Sequence, residues 1–228
     1  MKITYYGHSC FAVEAGGKTL LFDPFISPNV LAKHIKLDSV PAHYILISHG
    51  HLDHLADAAT IARRTGAIIV SNFEITTWFN KQGLEKTHPL NHGGAHTFDF
   101  GRVKFVNAIH SSSLPDGSYG GNPGGFVVDA KEGSFYYSGD TALTLDMKLI
   151  PEFSKLSFAA LPIGDNFTMG IDEAIRAADF VRCHEILGLH YNTFPPIQIN
   201  SAGAVQRFQD SGKRLHLLNP GETRDLCI

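Results

Sequence analysis

The stretch LISHGHLDH, residues 46–54, decides how the rest of the chain is read. His49, His51, Asp53 and His54 follow at once on an apolar run. That run belongs to HYILIS (43–48), continuous and rich in β-branched residues, as a strand buried on both faces requires. Behind it, DHLADAATIARRTG (53–66) keeps Leu55, Ala58, Ala59 and Ala62 at helical spacing and ends at Gly66, a C-terminal stop. The motif therefore lies where a buried strand gives way to a helix. His49 and His51 are two residues apart and point the same way in extended backbone. Asp53 and His54 fall in the first helical turn, where the helix dipole favours a carboxylate. A polar turn with solvated histidines explains any one of these residues, but not H-x-H-x-D-H as a unit directly after ILIS.

Outward from the motif, KITYYG (2–7), SCFAVEA (9–15) and TLLFD (19–23) read as strands, with GGK (16–18) as a hairpin turn. AIIVS (67–71) returns to strand, and FEITTWFNKQG (73–83) reads as a short helix. From residue 97 the strand signal dominates: RVKFVNAIH, GGFVVDA, SFYYSGD, FAALPIG, EILGLH and a final RLHLL (214–218). Two helices interrupt it. IDEAIRAADFVR sets Ile171, Ala174, Ile175, Ala178 and Val181 on one stripe, and SAGAVQRFQDSG follows later. SSSLPDGSYGGNPGG (111–125) is expected to be a mobile loop over a functional face. No linker, low-complexity tract or repeat divides the chain. The expectation is one layered α/β domain over residues 1–228, with sheets covered by helices.

Composition narrows the classes. Of 228 residues, 43% are hydrophobic and 18% charged, which is ordinary for a globular protein. The net charge is −3 with no cluster of Lys or Arg, so no nucleic-acid partner is expected. Cys10, Cys183 and Cys227 are odd in number and form no CxxC, which favours a reducing, cytoplasmic location over a disulfide framework. Neither a signal peptide nor a membrane-spanning run is visible, so no membrane association is expected. The 13 histidines imply that any metal site uses nitrogen and oxygen ligands.

Further ligands are sought at other strand ends. His110 ends VKFVNAI, Asp140 ends SFYYSG and His190 ends EILGL. Added to the first motif they give five histidines and two carboxylates. A closed structural zinc site uses four ligands. The larger set suits two metals about 3.5–4 Å apart with a carboxylate between them.

SHGHLDH with downstream His110, SGDT (138–141) and LHYNTFP (189–195) resembles the metallo-β-lactamase superfamily. GHSCF (7–11) and LLFDP (20–24) resemble, more narrowly, its small cytoplasmic metal-dependent hydrolases, relatives of the ascorbate-6-phosphate lactonase group. The resemblance covers nearly the whole chain. It implies an αββα sandwich of two mixed sheets. It also implies His49, His51 and His110 on one metal, Asp53, His54 and His190 on a second, and Asp140 bridging. Two divalent ions per chain would supply hydroxide near neutral pH and polarise the substrate oxygen. Zinc is the default for such ligands, and manganese, iron and nickel also accept them.

Asp53 and His8 are the catalytic candidates, His8 as a group that reaches the site from the end of the first strand. Asp23 is expected to fix backbone or orient a ligand histidine. Asp165 and Thr168 are weighed as pocket residues against a polar loop. His88, His92 and His96 are read as loop histidines, while His34, His43, His184 and His216 are given no functional role. Cys10 is expected in packed core. The expected activity is hydrolysis of a small-molecule ester, lactone or phosphoester. The alternatives are a phosphodiesterase or nuclease of the same superfamily, and a non-catalytic metal or ligand sensor. A homo-oligomer is compatible with either.

Overall fold

Residues 1–226 are described by a computed structural model, and Cys227 lies outside them. The first sheet contains β1 (Lys2–Gly7), β2 (Cys10–Ala15), β3 (Lys18–Phe22), β4 (Tyr44–Leu46), β5 (Ile68–Asn72) and β6 (Thr87–Leu90), with β14 (Thr223–Asp225) added beside β1. The second contains β7 (Ala95–Phe98), β8 (Gly101–Asn107), β9 (Gly124–Ala130), β10 (Gly133–Tyr137), β11 (Leu156–Pro162), β12 (Glu185–Leu189) and β13 (Arg214–His216). The two seven-stranded orders are β14-β1-β2-β3-β4-β5-β6 and β13-β12-β11-β10-β9-β8-β7. Each sheet is mixed. An antiparallel meander, β1–β3 or β7–β10, leads into strands that run parallel to its last member.

Four layers follow from the alternation of side chains along the strands. In β4, Tyr44 and Leu46 pack between the sheets, while Ile45 faces the outer layer. That layer holds α2 (Ala58–Thr65) and α3 (Phe73–Asn80), through Ile61, Ala62, Ile75 and Phe79. In β9, Phe126 and Val128 enter the central core and Val127 faces outward. The outer layer there is α5 (Ile171–Phe180) and α6 (Ser201–Asp210), which contribute Ala174, Ala177 and Phe208. Each large apolar side chain buried this way contributes about 1.5–3 kcal/mol before its entropy cost. The expected αββα sandwich is the observed fold. The short α1 (Leu52–Leu55) and α4 (Ile150–Phe153) lie in connections.

Four local expectations are corrected. The helix expected over 53–66 is split into α1 and α2. Asp57 N–H donates to Pro24 O at 3.0 Å instead of continuing the ladder. Its carboxylate accepts the N–H groups of Ile26 (2.6 Å) and Ser27 (2.8 Å), which ties the metal-side loop to the helix start. His88 and His96 are not in loop but on the edge strands β6 and β7, which are short, polar and partly exposed and so lack a sequence signal. RLHLL is not the final strand, because β14 pairs with β1. The 111–125 segment is tied down. Ser113 bridges Tyr119, Leu114 is buried, and Asn72 Nδ2 donates to Gly120 O at 2.7 Å.

Candidate metal centre

Every residue proposed from the sequence as a ligand lies beyond a strand end on one side of the sandwich. His49, His51, Asp53 and His54 follow β4, His110 follows β8, Asp140 follows β10, and His190 follows β12. Both sheets contribute, and the side chains meet where their ends come together. His49 Nε2 lies 3.0 Å from His51 Nδ1. One ring nitrogen from each of His49, His51 and His110 lies within 4.8 Å of the other two. A second group, within the same limit, joins His8, Asp53, His54 and His190. Asp140 sits between the groups. Its Oδ2 is 3.0 Å from His190 Nε2, 3.2 Å from His54 Nε2 and 3.7 Å from His110 Nε2.

The backbone is held in unusual conformations to achieve this. His8, Asp23 and His190 have φ of 56°, 39° and 53°, the left-handed region that residues other than glycine rarely occupy. Such conformations cost about 1–3 kcal/mol each and persist where surrounding contacts over-determine them. His190 N–H donates to His8 O at 3.0 Å, so two of the three brace one another. Gly139 (φ 63°) supplies the turn before Asp140, where a Cβ would meet Gly124 O at 2.5 Å.

Asp23 is wholly buried behind the site and accepts four hydrogen bonds. The donors are Ser48 N (2.8 Å), Ser48 Oγ (2.5 Å), Tyr137 OH (2.5 Å) and His54 Nδ1 (2.7 Å). A carboxylate only accepts, so His54 carries its proton on Nδ1 and turns the lone pair of Nε2 into the site. Sequence reasoning assigned Asp23 this orienting task. It missed Ser48, Tyr137 and Thr193, whose roles depend on contacts between distant segments.

His8 is fully buried, with Nε2 3.1 Å from Asp53 Oδ2 and Nδ1 3.0 Å from Thr193 Oγ1. It therefore touches the back of Asp53 and does not reach open space. Asp165 and Thr168 stand apart from the seven. Asp165 lines a cleft of about 760 Å³ that contains none of them. Thr168 N–H donates to Asp165 O at 3.4 Å. His92 bonds Pro123 O, and His34 bonds Pro220 O. His43 accepts from Thr19 N, and His184 bonds Gly212 O. His216 pairs with buried Glu185, and Cys10 is fully buried in β2.

The electrostatics suit a cation. Burial opposes charge on His54, yet Asp140, Asp53 and Asp23 outweigh it and raise the imidazole well above its usual range, so without an ion the Nε2 lone pair holds a proton that a divalent cation would displace. Burial also opposes ionisation of Asp140, but His190 and His54 hold it well below the usual carboxylate range. Burial and neighbouring His54 keep His49 well below normal, so it is neutral with a lone pair at pH 7. Burial pushes His8 down to about 4 against the pull of Asp53. His54 Nε2 and Asp140 Oδ1 are buried without a hydrogen-bond partner. Buried polar atoms are normally paired, and convergent unpaired donors of lone pairs are what a divalent ion requires.

Residues 2–190 match the family model described as Beta-lactamase superfamily domain. The chain belongs to the beta-lactamase superfamily. Within it, a metal-dependent hydrolase of Flavobacterium johnsoniae is 54% identical over 226 residues, covering 99% of this chain and 100% of that one. Another, of Methylacidiphilum infernorum, is 56% identical over 223 residues, covering 98% and 99%. The solved structure of a metallo hydrolase from the archaeon Ignicoccus hospitalis is 34% identical, with a TM-score of 0.88 over 98% of this chain and 97% of that one. This superfamily member is a metal-dependent hydrolase, and its histidine and aspartate clusters are the candidate ligands. Among the described residues, no helix is long and apolar enough to cross a membrane.

Proposed function

We propose that residues 1–228 form one binuclear hydrolase domain acting on a small ester, lactone or phosphoester. His49, His51 and His110 would hold one divalent ion, and Asp53, His54 and His190 the other, with Asp140 shared. Zinc is the first candidate for such ligands, ahead of manganese, iron and nickel. The observation that carries this reading is the position of Asp140 Oδ2, within 3.7 Å of Nε2 atoms from both ligand groups. One carboxylate oxygen facing both groups suits two cations close together.

Two such ions, when bound, lower the pKa of a water and draw electron density from the carbonyl or phosphoryl under attack. The chain's own residues do the positioning. Asp23 fixes the His54 tautomer, and His8 holds Asp53 from behind through Nε2. His190 is held by its backbone bond to His8 O. These supports keep the first ring of ligands within a narrow geometry, as hydrolysis at a metal requires.

Elemental analysis of purified protein should give up to two transition-metal ions per chain. Hydrolysis of a panel of esters, lactones and phosphoesters should vanish when the metals are removed and return on adding divalent ions. Full activity of a rigorously metal-free sample would overturn the reaction proposed.

A further inference from the structure

The rim of the centre has a chemical bias. The segments on the metal side are 7–9, 23–29, 48–57, 71–74, 91–94, 108–123, 138–147, 163–170, 190–200 and 217–221, between or beyond the strands. None contains a lysine or arginine. Two flanking cations are occupied elsewhere. Lys148 lies over the ring of Phe180, and Arg207 pairs with Asp172. Lys81 lines a separate hollow with Phe73, Glu74, Trp78 and Tyr119.

The same segments carry exposed apolar surface. Ten large hydrophobic residues are exposed among the described residues, and four of them, Leu52, Ile109, Leu145 and Phe167, fall in these segments outside that hollow. Two flank candidate ligands directly. Leu52 is 57% exposed between His51 and Asp53, and Ile109 is 51% exposed beside His110. Ile109 is also fixed in place: its N–H donates to Thr141 Oγ1 and its carbonyl accepts Ala142 N–H, both at 3.0 Å. Exposed apolar residues grouped at a site mark a surface that is covered by a ligand.

Phosphate and carboxylate groups are recognised by lysine, arginine or clustered N–H donors, and these segments supply no lysine or arginine. From this we infer that the substrate is an uncharged ester or lactone whose acyl or alkyl portion is apolar and lies against Leu52 and Ile109. In the reaction, the oxygen of water forms the new bond to the acyl carbon as the acyl C–O bond breaks. One water proton ends on the departing alcohol oxygen, so ester and water give carboxylic acid and alcohol. The inference narrows the hydrolase reading above and rests on it.

The test uses metal-loaded protein and four chromogenic probes: 4-nitrophenyl acetate, 4-nitrophenyl octanoate, 4-nitrophenyl phosphate and bis(4-nitrophenyl) phosphate. We expect kcat/KM to rise at least about tenfold from acetate to octanoate, as an apolar wall selects longer chains. Both phosphoesters should be at least about a hundredfold poorer than the octanoate. Ile109→Ala should flatten the chain-length dependence, and Ile109→Lys should shift the phosphoester-to-octanoate ratio upward by at least about tenfold. A flat chain-length series, or preference for either phosphoester, overturns this inference and leaves the hydrolase reading standing. Absence of turnover with all four probes despite bound metal overturns both.

Discussion

Asp23 Oδ2 accepts the Nδ1 proton of His54 across 2.7 Å, with neither side chain exposed to solvent. The two residues lie on different connections, after β3 and after β4. One carboxylate thus joins the loop that begins at residue 23 to the helix that carries Asp53 and His54. Asp23→Ala would leave four buried donors without an acceptor. The expected loss is about 3–5 kcal/mol of stability, since a buried charged partner is removed. Asp23→Asn keeps the shape and should fold better, with metal affinity about 10–100-fold weaker because the tautomer of His54 is no longer enforced. Denaturant melts and metal titration of the two variants check this. Unchanged metal affinity in Asp23→Asn would remove the orienting role.

Asp140 and His190 separate the shared ligand from a terminal one. Asp140→Asn keeps volume but loses the charge that offsets repulsion between two nearby cations. It should lower metal content toward zero or one ion per chain and reduce kcat/KM by at least about a hundredfold. His190→Ala should empty mainly one position. Metal stoichiometry at matched folding, checked by circular dichroism, distinguishes the two. Retention of two ions and near-normal turnover in Asp140→Asn would place the bridge elsewhere.

His8 tests whether support behind a ligand matters. Loss of its Nε2 contact in His8→Ala should free Asp53 to swing and lower kcat about 10–100-fold, with smaller change in KM. His8→Gln can still offer an N–H near Asp53 and should recover part of that loss. In cobalt-substituted protein, the visible absorption should shift in His8→Ala and return toward wild type in His8→Gln. A His8→Gln variant as impaired as His8→Ala, with no spectral change in either, would make His8 a packing residue only.

Gly50, between His49 and His51, lies against the 113–114 segment. A Cβ there would sit 3.1 Å from Ser113 O and 3.3 Å from the Leu114 side chain. Gly50→Ala should be tolerated with a small shift, costing about 1 kcal/mol or less. Gly50→Val should push the 111–125 segment outward, raising KM and weakening metal binding while leaving the two sheets folded. Thermal melts beside metal titration test this, and a Gly50→Val protein with native metal affinity would show that the segment yields freely.

Layering was legible because buried strands and amphipathic helices impose different periods, as in HYILIS against IDEAIRAADFVR. Ligand candidates were legible because polar residues terminate apolar strands, a pattern with no packing explanation. What stayed hidden depended on pairing between distant segments. THPL and AHTF become strands only because β5 and β8 supply partners. TRD joins β1 only because the chain returns to it. The break at Asp57 could not be read from helical spacing, since its cause lies at Pro24, Ile26 and Ser27. Likewise, GHS signals His8 but not its burial behind Asp53.

β14 runs antiparallel to β1, and Leu226 N–H meets Met1 O at 3.0 Å. Because β1 runs from Met1 toward His8, this junction sits at the pole opposite the histidines. Met1 and Leu226 therefore lie away from the mouth and leave it clear for substrate. A short linker between Met1 and Leu226 would close the described residues into a ring, with new ends opened at the exposed turn around Gly117, where a Cβ meets nothing within 4 Å. Such a rewired chain would keep every strand neighbour it has now, so the order in which the segments are synthesised is separable from the architecture they build.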